Sequence, residues 1–130
     1  MTELPADDVA SSPLRSVHTT SFPALLNQLG ISLLVTTYQA GKLIAVRDDE
    51  GVINTHFRVF NKPMGMAVSP MRVAFGTARE VHEYFNIPDV TRRLKPEGKH
   101  DACFIPRNVH VTGDIDIHEM RVHTEWVLSR

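Results

Sequence analysis

The side chains best suited to chemistry crowd towards the C-terminal end of this sequence: His100, Asp101, His110, Asp114, Asp116, His118 and Glu119. Imidazole and carboxylate groups are the ligands of zinc and non-haem iron, and such iron centres commonly present two histidines and one carboxylate on one face. Gly113 precedes Asp114-Ile115-Asp116-Ile117-His118, whose two-residue alternation predicts a strand. On it Ile115 and Ile117 face a core, while Asp116 and His118 project together to the other side. His110 joins them from the preceding turn. The candidate metal ligands are therefore His110, Asp116 and His118, with Glu119 or Asp114 as acid or base. Two features weigh against this reading. The common iron arrangement begins His-any-Asp, and here the order is reversed. The same residue types also make the ordinary solvated face of a half-exposed strand, which is the favoured interpretation.

Other constellations are weaker. Cys103 beside His100 suggests a thiol nucleophile, but Ala102-Cys103-Phe104-Ile105 is an apolar strand in which a cysteine acts as a small hydrophobe. Gly41-Lys42 lacks the rest of a phosphate loop, since Thr36 and Leu43 stand where that pattern needs glycine and a hydroxyl residue. Arg92, Arg93, Lys95 and Lys99 form the only basic concentration, diluted by Asp89, Glu97 and Asp101, and they describe a solvated loop. Met64 and Met66 alternate as core fillers do.

These residues need a scaffold. Ser21 as N-cap, Pro23 in the first turn and Gly30 as terminator predict a short helix with Phe22, Leu25, Leu26 and Leu29 on its apolar face. Residues 31–37, 42–47 and 52–60 then read as three strands, with turns over 38–41 and 48–51. In the third, Ile53, Thr55, Phe57 and Val59 share one face and Asn54, His56, Arg58 and Phe60 the other. A shorter meander follows over 64–69, 72–76 and 80–87. The two stretches are loosely alike: Lys42-Leu-Ile-Ala-Val leading to His56 and Phe60-Asn61 parallels Arg72-Val-Ala-Phe-Gly leading to His82 and Phe85-Asn86. Pro88 and Pro96 argue against a regular element between residues 88 and 100. A strand over 102–105 closes at Pro106. Residues 1–17 form a polar, flexible lead-in, leaving 18–130 as one domain.

Composition bounds the function classes. In 130 residues, 42% are hydrophobic and 22% charged, so most of the chain folds. Fourteen Lys and Arg against 15 Asp and Glu give a net charge of −1, which disfavours a nucleic-acid partner. No apolar run approaches the ~18 residues of a membrane span. The N-terminus lacks the basic and apolar regions of a signal peptide. With a single cysteine there is no internal disulfide, and a cytoplasmic setting is expected.

Three runs carry a resemblance: Leu33-Leu34-Val35-Thr36-Thr37-Tyr38-Gln39-Ala40-Gly41-Lys42-Leu43, Phe60-Asn61-Lys62-Pro63-Met64-Gly65-Met66-Ala67, and Pro106-Arg107 with Thr112-Gly113-Asp114-Ile115-Asp116-Ile117-His118-Glu119. Over roughly residues 16–120 the chain resembles an uncharacterised bacterial family, a domain of unknown function whose full members are longer. The resemblance implies a propeller-like β fold, of which this chain is the N-terminal part, and implies no activity, cofactor or catalytic residue. A propeller needs ~4–8 blades of four strands, so the expected architecture is mainly β: antiparallel meanders of a partial β-propeller-like domain with one short N-terminal helix. Residues 121–130 depart from the family's continuation, which suggests a truncated product.

The expected function is a non-enzymatic propeller-like binding or scaffold module. The alternative is a metal-dependent hydrolase or oxygenase built on the His/Asp cluster at residues 110–119. A third reading is a fragment with no function of its own. Self-association through exposed sheet edges is the partner interaction the pattern suggests.

Overall fold

The computed structural model describes residues 14–121. The lead-in expected over 1–17 lies outside this range up to residue 13, as do residues 122–130. The elements run α1 (Phe22–Leu29), β1 (Leu33–Thr37), β2 (Lys42–Asp49), β3 (Val52–Val59), β4 (Met66–Val68), β5 (Arg72–Gly76), β6 (Glu80–Asn86), α2 (Pro88–Thr91) and β7 (Phe104–Val111). The fold is mainly β, with two antiparallel sheets ordered β1-β2-β3 and β4-β5-β6-β7. The described residues group into two compact units, 14–35 with 44–57 and 36–43 with 58–121.

In the first unit α1 starts and stops at the predicted residues. Ser21 is the N-cap, although its side chain makes no capping hydrogen bond. Gly30 takes the left-handed conformation at φ 64°, its N–H donating to Asn27 O while Ile31 N–H donates to Leu26 O. That pair of bonds closes the helix as a Schellman motif. The apolar face is narrower than expected: Leu26 is buried, whereas Leu25 and Leu29 are exposed. The β2–β3 turn is also tighter. Glu50 and Gly51 alone form it, both at positive φ, as the right-handed twist of a hairpin favours. Asp48 anchors this corner by accepting from Gly51 N–H at 2.9 Å and from Asn27 Nδ2 at 3.1 Å. Ile44, Val46, Ile53, Thr55 and Phe57 lie on one sheet face and line an open depression together with residues 14–18 and Phe22.

The second unit holds the best-packed core. Phe75 is fully buried and Val73 nearly so. Phe75 packs edge-on to Phe60 at 4.7 Å and stacks on the His82 ring at 5.2 Å, and Tyr84 lies beside it at 5.6 Å. Cross-strand register explains this grouping. Phe75 pairs with His82 and Val73 with Tyr84, so all four side chains leave the sheet on one side.

The opposite side is built from small residues. Ala67 and Ala74 are register partners and both are buried, and Gly76 pairs with Val81. Residues 117–121 cross this side. Gly65 N–H donates to Ile117 O at 2.8 Å. A Cβ on Gly65 would come within 2.9 Å of that oxygen, and one on Gly76 within 2.7 Å of Ile117 Cβ. Both glycines are required by close approach rather than by a turn.

Three expectations are corrected here. Residues 114–118 form no strand: Asp116 adopts φ 45°, which breaks the extended run, so Ile117 packs while Ile115 is 58% exposed. Pro106 does not end the last strand, because β7 runs through it to Val111. Proline is tolerated there on the edge strand of the described sheet, next to a register shift between Glu83 and Tyr84. Finally, Pro88 starts one turn of helix, α2, where a first-turn residue needs no N–H partner.

Candidate functional site

The small-residue side of the second sheet carries a charged cluster. Glu83, in the middle of β6, is flanked diagonally by Arg72 on β5 and His110 on β7. Arg72 Nη1 lies 3.2 Å from Glu83 Oε1. His110 Nε2 lies 2.8 Å from Glu83 Oε2, and Asn108 Nδ2 donates to the same oxygen at 3.4 Å. The Glu83 side chain is 16% exposed, against 44% for Arg72 and 60% for His110. The carboxylate is therefore the covered centre, and Arg72 and His110 form the rim. The hydrogen bond from His110 holds the Glu83 carboxyl below its ordinary value of 4.5, helped by Arg72 and Asn108 and opposed by burial.

A one-residue bulge brings His110 into this cluster. Tyr84 pairs with Pro106 but Glu83 pairs with Asn108, so Arg107 is the extra residue on β7. Without the bulge, the register would set Glu83 opposite Arg107 and turn His110 to the other face. Bulges commonly re-aim a side chain beside a functional site in this way.

Beside the cluster lies an open groove of about 420 Å³. Its floor is Ala67, Ala74 and Val81, and Met120 and Arg121 complete its wall. Arg72 is positioned twice over, since its guanidinium also sits 5.8 Å from the centre of the Phe85 ring.

The residues singled out by sequence are placed differently. His110 lies on β7 rather than in a turn, while Asp116 and His118 are exposed on the segment beyond it. Among the described residues no three His, Cys, Asp or Glu side chains gather as a metal ion would need. His100 Nε2 lies 3.4 Å from the Lys95 carbonyl, and the half-buried Cys103 donates its backbone N–H to Asn86 Oδ1. In the basic loop Arg92 pairs with Asp89 and Lys95 with Glu97. Arg72 and Glu83 were missed because their link spans two strands. The usable signal was alternation along Glu80–Asn86, which sets Val81, Glu83 and Phe85 on a single face.

The profile of DUF4915, a domain of unknown function, matches residues 20–129, so the match runs through residues 121–129, where a departure from the family was expected. The chain belongs to the DUF4915 family. No curated protein and no solved structure matches it. The match takes in both sheets, so Arg72, Glu83 and His110 all belong to the DUF4915 domain. Among the described residues of this domain no helix is long and apolar enough to cross a membrane.

Proposed function

We propose that this DUF4915 domain is a non-enzymatic binding module whose ligand surface is the groove over β4–β7. The observation that carries the reading is the Arg72–Glu83–His110 cluster beside a floor of small apolar side chains, two alanines and a valine. Both Glu83 oxygens are engaged by cations or N–H donors, so the carboxylate positions its neighbours rather than serving as a base. Small floor residues leave room for an apolar group, and a few convergent polar groups at one wall orient it. In this reading the two sheets are repeats of a propeller-like scaffold, and the free thiol of Cys103 suits a cytoplasmic setting. The test is methyl NMR of the full chain with a panel of neutral, cationic and anionic fragments. Shifts concentrated on Ala67, Ala74, Val81 and Met120, with no fragment turned over, support the module. Shifts confined to other surfaces overturn it.

A second reading rests on the Glu83–His110 bond. A histidine that donates one ring N–H to a carboxylate is held as metal-binding histidines usually are. On this reading His110 is a ligand of a metal-dependent hydrolase or oxygenase, and Asp116 and His118, which do not gather with it among the described residues, must close onto it when the metal binds. Equimolar zinc or iron in purified protein, lost on His110→Ala or His118→Ala, is its expected signature. Metal-free protein whose folding a chelator leaves unchanged counts decisively against it.

A further inference from the structure

The groove offers more than an apolar cleft. Arginine's planar fork carries five N–H donors, and Arg72 uses one nitrogen on Glu83 Oε1 at 3.2 Å. Its remaining N–H groups have no partner among the described residues, yet the guanidinium is fixed by Glu83 on one side and by the Phe85 ring on the other. Such a group has lost little further freedom when a ligand arrives, so its unused donors are preorganised for a planar anion. The adjoining floor of Ala67, Ala74 and Val81 suits an apolar body, not a second polar head.

We propose that the groove binds a small monocarboxylate with an apolar body, Arg72 holding the carboxylate and Ala67, Ala74 and Val81 the body. This deepens the binding-module reading and rests on it. Glu83 sets the charge of the ligand. His110 and Asn108 hold it from the far side, so it cannot swing out of the groove. A monoanion meets one fixed negative charge beside the Arg72 guanidinium, and Arg121 also lines the groove. A dianion such as phosphate meets the same charge twice over, and repulsion in this partly dehydrated site selects against it. The low carboxyl pKa keeps that selection in force across the neutral range.

Sodium benzoate, its neutral counterpart benzamide and inorganic phosphate, titrated into the full chain, separate the outcomes. Benzoate is expected to shift the Ala67 and Ala74 methyls and the Arg72 Nε resonance saturably, with a Kd of about 1 mM. Arg72→Gln should weaken this about tenfold or more. Arg72→Lys, which keeps the charge but loses the fork, should do nearly the same and guards against a folding defect in the first variant. Glu83→Gln should raise phosphate affinity relative to benzoate. Benzamide shifting the groove as strongly as benzoate overturns the carboxylate assignment and leaves the binding module standing. Benzoate binding unchanged in Arg72→Gln overturns it as well. No groove shift from any of the three removes the carboxylate proposal, and the neutral and cationic fragments of the wider panel then decide the module.

Discussion

The two faces of the β4–β7 sheet each carry a histidine–glutamate pair, and the pairs are mirror images in burial. On the aromatic face the His82 ring is covered, at 16% exposure, while its partner Glu80 is 42% exposed at 3.0 Å. On the small-residue face the carboxylate of Glu83 is covered at 16% and His110 is 60% exposed at 2.8 Å. The same two side chains therefore do different work. A histidine whose ring stacks on Phe75 at an interplanar angle of 4° contributes area and shape, and its carboxylate only satisfies a ring nitrogen. A covered carboxylate is costly unless several donors reach it, and Glu83 draws in Arg72, Asn108 and His110. One arrangement makes a core; the other organises a charged surface. Residue type alone does not separate them.

The largest test of this division is Phe75→Ala. The side chain is fully buried at the centre of the aromatic face, so about 3–5 kcal/mol of stability should be lost in chemical denaturation. A loss below about 1 kcal/mol would show that the aromatic face is not the core.

Gly76→Val acts on the other face. Its side chain must displace Ile117, which already lies where a Cβ would stand. About 1–3 kcal/mol of destabilisation is expected. Faster amide exchange at Gly65, whose N–H is held by Ile117 O, should accompany it. Unchanged exchange there would place the segment after β7 elsewhere in solution.

Glu83→Gln is a smaller and pH-dependent change, of about 1 kcal/mol at neutral pH. The folded carboxyl is held below 4.5, so its contribution is complete above that value and disappears as pH falls through the lower folded value. The gap between wild type and variant in urea denaturation should therefore close in acid. A constant gap at all pH values would mean that the charge on Glu83 is not what the pair contributes.

The smallest effect sharpens where the aromatic face ends. Val109 and Val111 share a side with His82 and Glu80 by register but are 53% and 81% exposed. Val111→Thr should stay within about 0.5 kcal/mol. If sedimentation shows self-association of the chain, Val111→Lys should reduce it, because a charge on an edge strand opposes strand addition.

Much of this was legible in the residues themselves. The short helix, its glycine stop, the hairpin turns and the alternation of β3 follow from local conformational preference, which acts over a few residues. The strand that carries Val73 and Phe75 follows from an apolar run between turn signals. The reading of residues 114–118 failed for a reason just as local in effect but not in cause. Their alternation is real, yet Asp116 is turned to positive φ and Ile117 is drawn onto Gly65 and Gly76, residues some forty to fifty positions earlier. Alternation records which side chains prefer burial, not whether a neighbouring strand is there to pair.

Composition and pattern by themselves determined a mainly β domain and the approximate places of the helix α1 and of strands β1 to β6. Only the tertiary structure decided which charged residues meet. The Arg72–Glu83–His110 cluster depends on two cross-strand registers and on one extra residue at Arg107, which shifts every later side chain of β7 to the opposite face. Strand pairing is a contact between distant parts of the chain, chosen by the packing of both faces at once. No short window of sequence contains that choice.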